Sequence, residues 1–80
     1  MDDHGSLLQR VRDQRDLPKP AIRRAIREAA GLSRAAVAAE LGVTRQAVDN
    51  WERGLRTPRP PHLHKYAALL RALAREVNAA

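Results

Sequence analysis

The chain has 80 residues, enough for one modest core and too few for a second. It contains no cysteine, which excludes a disulfide framework and a thiolate metal site, and it shows no signal peptide, no apolar run of spanning length and no lipidation motif. A formal net charge of +6 and an isoelectric point near 11.3 point to an anionic partner, nucleic acid before an acidic membrane or protein.

In chain order, residues 1–5 are polar and expected to fray. Ser6 is placed to cap a short helix with Leu7, Leu8 and Val11 on one face. Leu17-Pro18-Lys19-Pro20 breaks that helix, because each proline biases the residue before it away from the helical region. The break separates an N-terminal arm, residues 1–17, from a body, residues 18–80. From Ala21 the helical period returns, with Ile22, Ile26 and Ala29 on the expected buried face and Gly31 as the stop. Ser33 is a natural cap for the next helix, with Val37, Ala38 and Leu41 inward and Gly42 at its end. Thr44 caps another, running to about Arg53, with Val48 and Trp51 inward and Gly54 as its stop. Residues 55–61 form a loop with Arg56, Arg59 and three prolines, and Pro60 or Pro61 suits the first turn of a last helix. That helix spaces Leu63, Tyr66, Ala67, Leu70 and Leu73 or Val77 on one side.

No phenylalanine is present, and Trp51 and Tyr66 are the only large aromatics, so the core rests on Leu, Ile, Val and Ala. Nothing alternates with period two. The reading is an all-α, compact domain of four to five helices. Charge is uneven along it: residues 1–17 hold four Asp against three Arg, whereas residues 18–60 hold nine Lys/Arg against four Asp/Glu.

Residues 31–54, GLSRAAVAAELGVTRQAVDNWERG, are the informative stretch. Two short helices meet at Gly42, where a positive φ is easiest without a β-carbon. The small Ala38 lets them cross closely, and Leu41, Val43 and Val48 seal the corner. The second helix then turns Arg45, Gln46, Asp49 and Asn50 outward near its start. A helix of this width fits the major groove, and these residue types read base edges there.

This segment resembles the helix-turn-helix of the lambda-type phage repressor and Cro family, also called the xenobiotic-response-element family. The likeness rests on Arg27 four residues before Gly31, Leu32-Ser33, Val37-Ala38, Leu41-Gly42-Val43-Thr44, Val48 and Trp51-Glu52-Arg53-Gly54. It continues through Pro58, Leu63 and Ala67, and covers roughly residues 20–74. Three departures stand out. Ala36 and Ala47 replace the Glu or Gln of a capping box, Arg59 stands where many relatives carry a small capping residue, and residues 1–17 have no counterpart. The resemblance implies a central helix-turn-helix in a lambda-repressor-like fold. It also implies that Arg45, Gln46 and Asn50 touch bases, with Asp49 beside them as an orienting or excluding charge. Thr44 and Arg34 match phosphate-contacting positions, and Arg27 and Glu52 match a structural ion pair.

The basic residues around the motif add affinity that does not depend on sequence. Arg34, Arg53, Arg56 and Arg59 are the leading phosphate contacts, followed by Lys19, Arg23 and Arg24. His62 and His64 point in different directions on a helix and lack a third ligand, so no metal site is read, nor any nucleophile–base pair, glycine-rich phosphate loop or cofactor. The expectation is a cytoplasmic, nucleoid-associated, non-enzymatic regulator on double-stranded DNA. It would be a homodimer on a palindromic operator, of phage, mobile-element or antitoxin type. An adaptor that keeps the fold without binding DNA would show acidic or apolar residues at the outward positions. Residues 1–17 or the C-terminal helix are the expected surfaces for dimerisation or a protein partner, with dimer or partner binding favoured for the arm over packing on its own body, and disorder as a smaller third option.

Overall fold

The computed structural model describes residues 4–79. These form five helices: α1 (His4–Asp16), α2 (Pro20–Ala29), α3 (Arg34–Leu41), α4 (Arg45–Glu52) and α5 (His62–Ala79). The fold is all-α, as the periodicity predicts. Residues 1–3, part of the stretch expected to fray, lie outside the described residues.

The helix-turn-helix is set by local chemistry at each boundary. Ser33 adopts an extended backbone and its hydroxyl accepts the Ala36 N–H, while Thr44 does the same for Ala47 at the head of α4. Between them Gly42 takes φ 71°, and the N–H groups of Gly42 and Val43 donate to the carbonyls of Ala39 and Ala38. That pair of bonds closes α3 in a Schellman motif and turns Val43 back onto the core. The end of α4 is governed by a close approach: a Cβ on Gly54, at φ 72°, would lie 3.3 Å from Pro20 Cγ.

The core gathers Val37, Ala38 and Leu41 from α3, Val48 and Trp51 from α4, and Tyr66 and Leu70 from α5. Val48 is fully buried, and Leu63 and Ala67 are buried alongside on α5. Trp51 and Tyr66 meet at a tilt, with ring centroids 4.8 Å apart.

Several sequence expectations differ from the structure. On α2 the buried residues are Arg23 and Arg27, while Ile22 is 50% exposed, Ala29 is exposed and Ile26 is half-buried. The helix is rotated so that its guanidinium groups reach polar atoms of α4. Arg23 donates to the Pro18 carbonyl at 2.6 Å and to the Trp51 carbonyl at 3.0 Å, which takes it out of the set of phosphate contacts. Burial lowers the Arg23 pKa, with the charge of Tyr66 acting in the opposite sense.

On α1 the helix is already formed at His4, so Ser6 lies inside it and does not cap it. Its buried residue is Asp13, while Leu7, Leu8 and Val11 are all more than half exposed. The arm therefore packs on its own body, along α5, through polar groups. Asp13 meets His64 Nδ1 at 3.1 Å and accepts from Gln9, and Asp16 accepts from Arg71 at 3.4 Å. Burial pushes the Asp13 carboxyl up, but the bonds from Gln9 and His64 and the charges of His64 and Arg71 outweigh it, and the net direction is down. At the other end, Pro60 and Pro61 form the turn that leads into α5, outside the helix itself.

The crossing of α3 and α4 predicts the response to enlarging Ala38, which is 3% exposed. Ala38→Leu forces three extra carbons into a filled corner, at a cost of about 1–3 kcal/mol. Thermal melting by circular dichroism is expected to show a midpoint lower by several degrees; an unchanged midpoint would mean that the corner has room.

Candidate nucleic-acid interface

The first turn of α4 carries the outward residues. Arg45 and Gln46 are exposed, and Asp49 and Asn50 follow one turn later, half-buried. The Gln46 amide donates to the Asn50 side-chain oxygen at 3.1 Å, so the two amides form one unit. Beyond α4 the chain folds back, and the N–H groups of Leu55 and Arg56 donate to the Asn50 carbonyl at 2.9 and 3.4 Å. This brings the loop that carries Arg56 and Arg59 beside the same helix face.

The result is an open groove of about 690 Å³. It is lined by Thr44, Gln46 and Asn50 of α4 and by Arg56 and Arg59 of the loop. The opposite wall comes from Arg10 and Gln14 of α1. No carboxylate lines it. The sequence reading passed over Arg10 and Gln14. Their signal was i, i+4 spacing on one helix face, hidden by the net negative charge of residues 1–17.

Other basic residues are drawn elsewhere. Arg34, the first residue of α3, donates to Glu52 Oε1 at 3.1 Å and lies 3.5 Å from Asp49. Arg53, at the end of α4, lies 3.6 Å from Asp49 on its other side. Asp49 is thus flanked by two arginines, one from each helix of the motif. Arg45 shares a shallow depression with Gln46 and Asp49.

Beneath the outward face lies a buried ionic cluster. Glu52 accepts two bonds from Arg27, at 2.5 and 3.0 Å, in addition to that of Arg34. The remaining Arg27 nitrogen donates to the Leu32 carbonyl at 2.8 Å, at the entry to α3. The hydrogen bond with Glu52 raises the Arg27 pKa, against desolvation and with help from the charges of Glu52, Glu28 and Tyr66. This arrangement fixes α4 relative to α2 and α3.

A family model described as helix-turn-helix matches residues 24–76, most of the chain. The chain belongs to the lambda repressor/Cro-like helix-turn-helix family. It is a member of a DNA-binding regulatory family, and within that family α3 and α4 are its helix-turn-helix. Helix α1 lies before the matched region. Comparison with curated proteins and with solved structures gave no significant match. No helix among the described residues is long and apolar enough to cross a membrane.

The buried cluster makes this helix-turn-helix domain sensitive to loss of a single carboxylate. Removing the Glu52 carboxylate strands Arg27 in the interior, and breaking such a buried pair costs about 3–5 kcal/mol. Small domains have only about 5–15 kcal/mol in all. Glu52→Ala is therefore expected to lower the urea midpoint sharply or abolish folding, and an unshifted midpoint would contradict the role given to the cluster.

The cluster also bears on Tyr66, whose pKa is pushed from 10.0 to about 12, first by burial and then by the Glu52 charge, against Arg23 and Arg27. A raised acid pKa means that the fold favours neutral Tyr66. Its stabilising contribution is whole below pH 10 and is lost as pH climbs toward 12. An ultraviolet titration should show tyrosinate forming near pH 12 in the folded protein and near pH 10 in urea. Ionisation near 10 with the fold intact would contradict it.

Proposed function

We propose that this protein is a sequence-specific regulator of transcription that inserts the first turn of α4 into the major groove of double-stranded DNA. Arg45, Gln46 and Asn50 read base edges, and Asp49 orients neighbouring arginines and repels wrong partners. Thr44, Arg34, Arg53, Arg56 and Arg59 face the phosphates, with Arg34 exchanging part of its contact to Asp49 for one to the backbone. The observation that carries this reading is the groove itself. Two hydrogen-bonded amides capable of reading bases stand beside arginines with no carboxylate between them.

A single module of this size buries too little surface for strong specificity alone, so the reading includes a homodimer on a palindromic operator. The reading takes the regulator to be a repressor. A phage, mobile-element or antitoxin setting suits it, in the compartment that holds the DNA. The role is one of binding rather than catalysis.

The test separates base from phosphate contacts. After selection of a binding site from a random pool, Gln46→Ala is expected to lose about 1–3 kcal/mol of discrimination between that site and random duplex. Arg56→Ala is expected to weaken both equally. If Gln46→Ala leaves discrimination unchanged, α4 does not read bases through this residue.

A further inference from the structure

We infer that α1 is part of the nucleic-acid interface: Arg10, with Gln14 one turn further on, binds the phosphate backbone of a DNA strand seated in the groove between α1 and the loop before α5. This rests on the DNA-binding reading above and adds to it an element outside the region that matches the family.

Arg10, Arg56 and Arg59 line one groove from two separate parts of the chain. Among the described residues none of the three has an ion pair or a hydrogen bond to a carboxylate. Like charges brought to a common concavity repel, and an anion bound between them relieves that cost while gaining several charge-assisted bonds. The guanidinium fork suits a phosphate oxygen pair, and the Gln14 amide adds a neutral donor.

The partition of charge on α1 supports the same conclusion. Its carboxylates at Asp13 and Asp16 are turned to α5, where His64 and Arg71 hold them. Asp13 is 4% exposed, so the helix is anchored and Arg10 is held in place rather than trailing on a loose arm. The face left toward the groove is cationic and amide-bearing, although the segment as a whole is net negative. A duplex rather than an acidic polypeptide is favoured because Gln46 and Asn50 line the same groove. One strand can then run past Arg10 while its bases meet α4.

Phosphate contacts do not depend on sequence, so the test uses the full chain and a fluorescent random-sequence duplex, with affinity measured over a range of salt. Each phosphate neutralised contributes about 0.9 to the slope of log affinity against log salt. Arg10→Ala is expected to reduce the slope by about that amount per bound chain, with Arg10→Lys keeping it. Arg12→Ala, exposed on α1 but outside the groove, is expected to leave the slope unchanged. Circular dichroism verifies that α1 stays formed.

An unchanged slope in Arg10→Ala, alongside a reduced one in Arg56→Ala, would overturn the role of α1 and leave the DNA reading standing. An equal loss from Arg12→Ala, or no rescue by lysine, would also overturn it, by showing a general charge effect or a structural one. Absence of binding to any duplex by the unaltered chain would remove both readings, and with them the duplex as occupant of the groove.

Discussion

The Glu52 carboxylate lies buried where α2, α3 and α4 meet, and four contacts depend on its charge being there. It takes two bonds from Arg27 and one from Arg34, and it lets Arg27 spare a nitrogen for the carbonyl that leads into α3. A domain with so little aromatic surface holds α4 by an ionic joint as much as by packing. Apolar contacts at Val48 and Trp51 fix how far α4 stands from its neighbours, while the directional bonds to Glu52 fix its rotation. Rotation decides which side chains of α4 face outward, so the proposed interface depends on a buried group.

The same logic extends to α2 and α1. Arg23 spans from the linker carbonyl of Pro18 to the last turn of α4, tying the body to the segment that precedes it. Helix α1 then docks by a buried aspartate. Polar docking of this kind is directional, and it sets which face of the helix looks into the groove, something an apolar stripe would leave freer to slide.

Much of the fold was legible because its signals are local. The caps at Ser33 and Thr44 and the left-handed glycine at Gly42 each involve residues within four positions of one another, and the apolar spacing of α3 and α5 matches the sides they bury. The two misassigned helix faces share one cause. Periodicity assigns the buried face of a helix to its apolar residues, and on α2 and α1 the buried residues are charged. His64, which meets Asp13, lies 51 positions away, and the Trp51 carbonyl that accepts from Arg23 lies 28 away. Neither distance leaves a trace in a local pattern. The groove was partly legible: Thr44, Gln46, Asn50, Arg56 and Arg59 were picked out by type and position. Arg10, which lines the same groove, was not picked out, because charge summed over a segment erases the difference between its faces.

The amide pair on α4 carries a thermodynamic consequence. A glutamine on an open surface samples many rotamers, and freezing one costs up to about 1.5–2 kcal/mol of side-chain entropy on ordering. In this protein Gln46 is held by Asn50 before any partner arrives. Part of that ordering cost is met within the folded chain. The two side chains are coupled, so altering either disturbs the conformation of the other, and their effects in the proposed recognition are not expected to add.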